Sequence, residues 1–225
     1  MPETPLATLE LDAPCGAAVA TVILLHGLGA DGHDFAPIVA ELDLPSDHGV
    51  RFVFPHAPER AVTINGGMVM PAWYDLAEVD ITARQDAAGI RASAARLVDL
   101  IDRERGRGID AQRLVVAGFS QGGAIALHAG LRYPLPLAGI LALSTYLPLA
   151  GDLAAEASAA NRGTPIFMGH GLHDPVVPYL HGSRSCRVLE DLGYPARLHS
   201  YRMEHAVCAE EIRDIGTWLR EVLDL

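Results

Sequence analysis

The chain has 225 residues, 50% hydrophobic and 20% charged, an ordinary globular composition with material for one large core over residues 1–225. A formal net charge of -11 leaves no basic face for phosphates. This excludes nucleic acid as a partner and simple electrostatic docking on anionic membranes.

In chain order, Met1-Pro2-Glu3-Thr4 lacks the basic start and apolar core of a signal peptide, and Pro2 stands where myristoylation needs glycine. No apolar run is long enough to span a membrane. Three cysteines, Cys15, Cys186 and Cys208, form no closed disulfide set and no C-x-x-C pair. A reducing, cytoplasmic setting without stable membrane insertion is the expectation. Residues 19–25 are a fully apolar strand, 34–42 carry helix signals, and 51–55 are a short strand. Residues 87–105 predict a long helix, with Ile90, Ala94, Leu97, Val98 and Ile101 on one stripe. The β-branched run 113–117 is followed by a helix-compatible stretch at 123–129. Strands at 138–143 and 165–169, a helix over 179–192, a strand at 197–201 and a helix over 208–223 complete the order. Continuous apolar strands alternating with helices predict a mostly parallel central sheet flanked by helices on both faces. Ligands bind such sheets at the carboxyl ends of the strands, so catalytic groups should follow strands.

Gly118-Phe119-Ser120-Gln121-Gly122 spells G-x-S-x-G at a strand-to-helix turn. The glycines suit a sharp turn that presents Ser120 above the sheet as a nucleophile. The first amides of the following helix favour developing negative charge. A serine needs a base, and the base needs an orienting acid. Of ten histidines, His205 lies four residues beyond the strand end at Tyr201 and just before the last helix. Asp174 follows the 165–169 strand and precedes Pro175 and Pro178, which stiffen its loop. His173, its neighbour, is the second histidine in line. The order Ser120, Asp174, His205 is that of the α/β-hydrolases. A second oxyanion donor besides the Gln121 amide is assigned to the Leu28 amide, in the loop His26-Gly27-Leu28-Gly29-Ala30-Asp31-Gly32. His26 is read as a brace for that loop.

These segments, with Leu143-Ser144-Thr145-Tyr146-Leu147, Pro71-Ala72-Trp73-Tyr74-Asp75 and Cys208-Ala209-Glu210-Glu211-Ile212, resemble the phospholipase/carboxylesterase family. That family includes small bacterial carboxylesterases and acyl-protein thioesterases. The resemblance implies a compact α/β-hydrolase fold without a large lid domain. It also implies a triad of Ser120, Asp174 and His205, and an oxyanion hole of the Leu28 and Gln121 amides. A homodimer is the assembly it leaves open. Two positions depart from the family's habit. Glu204 stands where glycine often precedes the histidine, and Ala206 where a small hydroxyl residue often follows it.

Residues 61–76 are too apolar for an ordinary surface loop. Met70, Trp73, Leu28 and Val176 are read as an acyl groove. The expected activity is hydrolysis of short- to medium-chain acyl esters through an acyl-enzyme. The same residues would serve an acyl-protein thioesterase or lysophospholipase. A dienelactone hydrolase would place cysteine at position 120, and a non-catalytic receptor would lack the base or the acid. The histidines and cysteines show no ligand spacing such as H-E-x-x-H, so neither metal nor other cofactor is expected.

Overall fold

In this computed structural model, residues 5–78 and 83–225 are described. Seven strands form one sheet in the order β1-β3-β2-β6-β7-β8-β9. They are β1 (Thr8–Leu11), β2 (Ala20–Leu25), β3 (Val50–Pro55), β6 (Leu114–Phe119), β7 (Gly139–Leu143), β8 (Ile166–Gly171) and β9 (Ala196–Tyr201). All neighbours run parallel except β1, which pairs antiparallel with β3. The central strands are buried along their whole length, as parallel strands covered on both faces must be.

Two separate hydrophobic clusters lie on opposite faces of the sheet. One is covered by α1 (Ala87–Gly106), α2 (Gln121–Gly130) and α4 (Tyr179–Asp191), the other by α5 (Ala209–Leu223). The stripe predicted for α1 is its buried face, although Val98 is only partly buried. Asp86 caps that helix, accepting from the Gly89 amide at 2.9 Å. Every residue of α2 is buried, so the helix after Ser120 is clamped on all sides.

Three features differ from the sequence expectation. Strand β1 is short and half-buried, so its four residues carry no strong pattern. The segment 34–42 forms only a 3₁₀ helix, Ala36–Glu41, none of whose residues is buried. Ala36, Ile38 and Val39 pack against the cluster beneath α5 only partly buried, too little packing to stabilise a longer α-helix. The apolar segment 61–76 is largely a hairpin of β4 (Glu59–Val62) and β5 (Met68–Pro71), turning through left-handed Gly66 and Gly67. The helix α3 (Leu153–Glu156) follows β7.

Candidate functional site

Ser120 ends the tight turn between β6 and α2 with φ 54° and ψ -120°. A non-glycine residue held there is strained, and its surroundings fix it. Its amide donates to the Leu143 carbonyl at 2.9 Å, and the Thr145 hydroxyl donates to its carbonyl at 2.7 Å. The flanking glycines are required by contact. A Cβ on Gly118 would overlap the Gly122 backbone, and one on Gly122 would overlap the Leu25 carbonyl.

Asp174 is buried beyond the end of β8. One carboxylate oxygen, Oδ1, accepts the Val176 and Val177 amides, each at 2.8 Å. The other, Oδ2, lies 2.7 Å from His205 Nδ1. A carboxylate so placed holds a proton on Nδ1 and leaves Nε2 as the basic nitrogen. The His205 ring packs on Phe119, the residue before Ser120, with centroids 4.7 Å apart. The two loops are tied together: the Leu172 amide donates to Tyr201 and the His173 amide to Met203, at 2.8 and 3.1 Å. A Cβ on Gly171 would overlap the Glu204 carbonyl, so the glycine permits this approach. His173 points to solvent while Asp174 is buried, and Glu204 is exposed.

His170 had no sequence signal. It is buried, with Nε2 2.8 Å from the Val177 carbonyl and 3.5 Å from Asp174 Oδ2. Burial lowers its pKa, so it serves as a neutral donor behind the acid loop.

The Leu28 loop is held at several points. His26 is buried; its Nε2 accepts the Ala57 amide at 3.0 Å, and its Nδ1 lies 2.7 Å from the Gly27 carbonyl. That arrangement puts the ring proton on Nδ1, and burial lowers the pKa of the ring. The Gly29 amide donates to Pro71 at 2.9 Å, fastening this loop to β5. Gln121, whose amide opens α2, uses its side chain as a clamp. Its Oε1 accepts from the Trp73 amide at 3.1 Å and its Nε2 donates to the Tyr74 carbonyl at 2.9 Å.

A cavity of about 220 Å³ opens beside Ser120. Its walls are Leu28, Ile64, Asn65, Tyr74, Leu76, Gln121, Tyr146, Val176 and Val177. The Tyr74 and Tyr146 hydroxyls lie 3.0 Å apart, and burial raises both phenols so that they stay neutral. Two larger clefts, of about 380 and 400 Å³, lie beside Arg105 and Trp218 and contain none of these groups.

Leu28 and Val176 therefore line the cavity as expected, but two groove residues do not. Trp73 is fully buried, its indole N–H donating to the His26 carbonyl at 2.8 Å. A large ring with one donor found its partner in the loop brace, beneath the site. Met70 is also absent from the walls. Its sulfur lies 3.3 Å from Asn65 Nδ2 and beside Gly29, so it packs the hairpin onto the Leu28 loop. The hairpin reaches the cavity only from its turn, through Ile64 and Asn65, and no residue of β5 lines it, which composition alone does not resolve.

A parallel sheet carrying a strained serine elbow, with a buried carboxylate–histidine pair on the neighbouring loops, defines a hydrolase of the α/β class. The family profile described as Phospholipase/Carboxylesterase matches residues 7–223. The chain belongs to that family and is a hydrolase acting on ester or thioester bonds. It is similar to acyl-protein thioesterase 1 of Neurospora crassa, 43% identical over 91% of this chain and 87% of the relative. Among solved structures it resembles acyl-protein thioesterase 2 of Zea mays, with a TM-score of 0.84 and 32% identity over 96% of this chain and 99% of the other. It also resembles SOBER1 of Arabidopsis thaliana, with a TM-score of 0.86 and 28% identity over 91% and 99%. No helix among the described residues is long and apolar enough to cross a membrane.

Proposed function

We propose that the protein is a serine esterase for short- to medium-chain acyl esters, with Ser120 as nucleophile, His205 as base and Asp174 as the acid that orients it. The observation that carries this reading is the Asp174–His205 bond of 2.7 Å beside the Ser120 elbow, at the mouth of an apolar cavity.

His205 takes the Ser120 proton as the serine oxygen attacks the acyl carbonyl. The resulting oxyanion rests on the Leu28 and Gln121 amides. His205 then gives its proton to the leaving oxygen, and the acyl group remains as an ester on Ser120. Water, deprotonated by His205, attacks that ester and releases the acid. At about 220 Å³ the cavity falls below the roughly 300–1,000 Å³ of sites for drug-sized ligands, which favours modest acyl chains.

The similarity to the Neurospora crassa and maize thioesterases supports a second reading, hydrolysis of acyl thioesters with the same residues. A series of p-nitrophenyl esters from two to sixteen carbons, run beside a palmitoylated peptide, separates the two. Ester hydrolysis with its optimum at short to medium chains is expected. A kcat/KM that keeps rising to sixteen carbons and is highest on the palmitoyl peptide would favour the thioesterase.

A further inference from the structure

The loop that carries Leu28 continues into Asp31-Gly32-His33, and this stretch meets His56, just past the end of β3. One donor atom from each of Asp31, His33 and His56 lies within 4.8 Å of the other two, and among the described residues this is the one such cluster. Two imidazoles and a carboxylate are a donor set suited to zinc-class ions, with a fourth position left to water. The arrangement is partly pre-formed. His33 Nδ1 and its backbone amide approach Asp31 Oδ1 at 2.8 and 2.7 Å. The Gly32 amide donates to His56 Nδ1 at 3.2 Å, and a Cβ on Gly32 would lie 2.6 Å from the Phe54 carbonyl oxygen. Only glycine lets the loop come this close to the strand end. The His33 and His56 rings stand 5.4 Å apart, centroid to centroid.

We infer that Asp31, His33 and His56 form a binding site for one divalent zinc-class ion, separate from the triad, which staples the Leu28 loop to the end of β3. Tetrahedral zinc with bonds near 2.1 Å needs its ligands roughly 3.4 Å apart. The side chains of His33 and Asp31 are 68% and 51% exposed, which leaves them free to close that gap by rotation. No metal motif betrays the site in sequence, because His56 is 23 positions beyond His33 and joins it only through the parallel pairing of β2 with β3.

Titration of the purified chain with Zn²⁺ by calorimetry, and with Co²⁺ by visible absorption, tests this. One ion per chain is expected, with a tetrahedral Co²⁺ spectrum and a melting temperature raised by Zn²⁺. His33→Ala should weaken Zn²⁺ binding at least about tenfold and abolish the thermal shift, and Asp31→Asn should weaken binding by about 10- to 100-fold. His33→Ala should keep its metal-free melting temperature and esterase activity, which separates this site from the catalytic reading. Binding unchanged in both variants, or absent at millimolar Zn²⁺, would overturn it.

Discussion

Gln121 shows how one residue can serve two levels of the structure. Its amide stands at the start of α2, where oxyanion donors are needed, while its side chain satisfies the buried Trp73 amide and Tyr74 carbonyl. Gln121→Leu keeps the backbone amide but leaves both partners unpaired. A loss of about 2–4 kcal/mol is expected from urea unfolding; an unchanged midpoint would show that the clamp is incidental. Asp174→Asn should reduce kcat by about 10⁴, because an amide no longer fixes the Nδ1 proton of His205. A fall of less than tenfold would remove Asp174 from the triad. The placement of Ser120, Asp174 and His205 at strand ends, and of Leu28 and Val176 beside the cavity, was legible in the sequence because each follows a strand. Trp73 and Met70 were misread because apolar composition marks a segment as buried without saying which face of it meets the ligand. His170 gave no signal, since a buried neutral histidine behind a loop has no spacing rule.

At the scale of elements, the strongly patterned ones were readable and the half-buried ones were not. Long apolar strands and α1 declare themselves by period, whereas β1 owes its structure to pairing with the distant β3, and β4 and β5 pair only with each other across a short turn. The hairpin contributes Ile64 to the cavity wall from its turn. Ile64→Asp should raise KM for an octanoyl ester by about tenfold and leave an acetyl ester nearly unaffected; equal effects on both would place Ile64 outside the acyl path. Helix α5 carries Glu211 in its first turn, fully buried beneath β8 beside Gly169 and without a hydrogen-bond partner. Burial pushes its carboxyl up to about 8. The unfolded chain ionises this group near the usual carboxylate value of about 4.3. Glu211 therefore contributes stability that is fully present below that value and lost as pH rises through about 8. Glu211→Gln should gain in melting temperature relative to the parent as pH is raised from 5 to 8, with the gain levelling off above. Parallel melting curves for the two proteins across that range would contradict this.

The whole molecule is a layered sheet whose carboxyl edge gathers the Leu28 loop, the Ser120 elbow, the Asp174 loop and the His205 loop from four different strands. Backbone hydrogen bonds join the Asp174 and His205 loops, and glycines with no room for a side chain bring the Ser120 elbow against the Leu28 loop. The site is therefore as rigid as the sheet edge that carries it, as preorganised charge stabilisation requires. The central claim is that Ser120 is the nucleophile activated by His205. It is tested most directly by treating the parent and Ser120→Ala with a fluorophosphonate probe and measuring butyrate ester turnover on the same samples. The parent should be labelled on Ser120, and the variant should resist labelling and lose about a million-fold in kcat. Labelling of the variant at another residue, or retention of most of its esterase activity, would contradict the assignment.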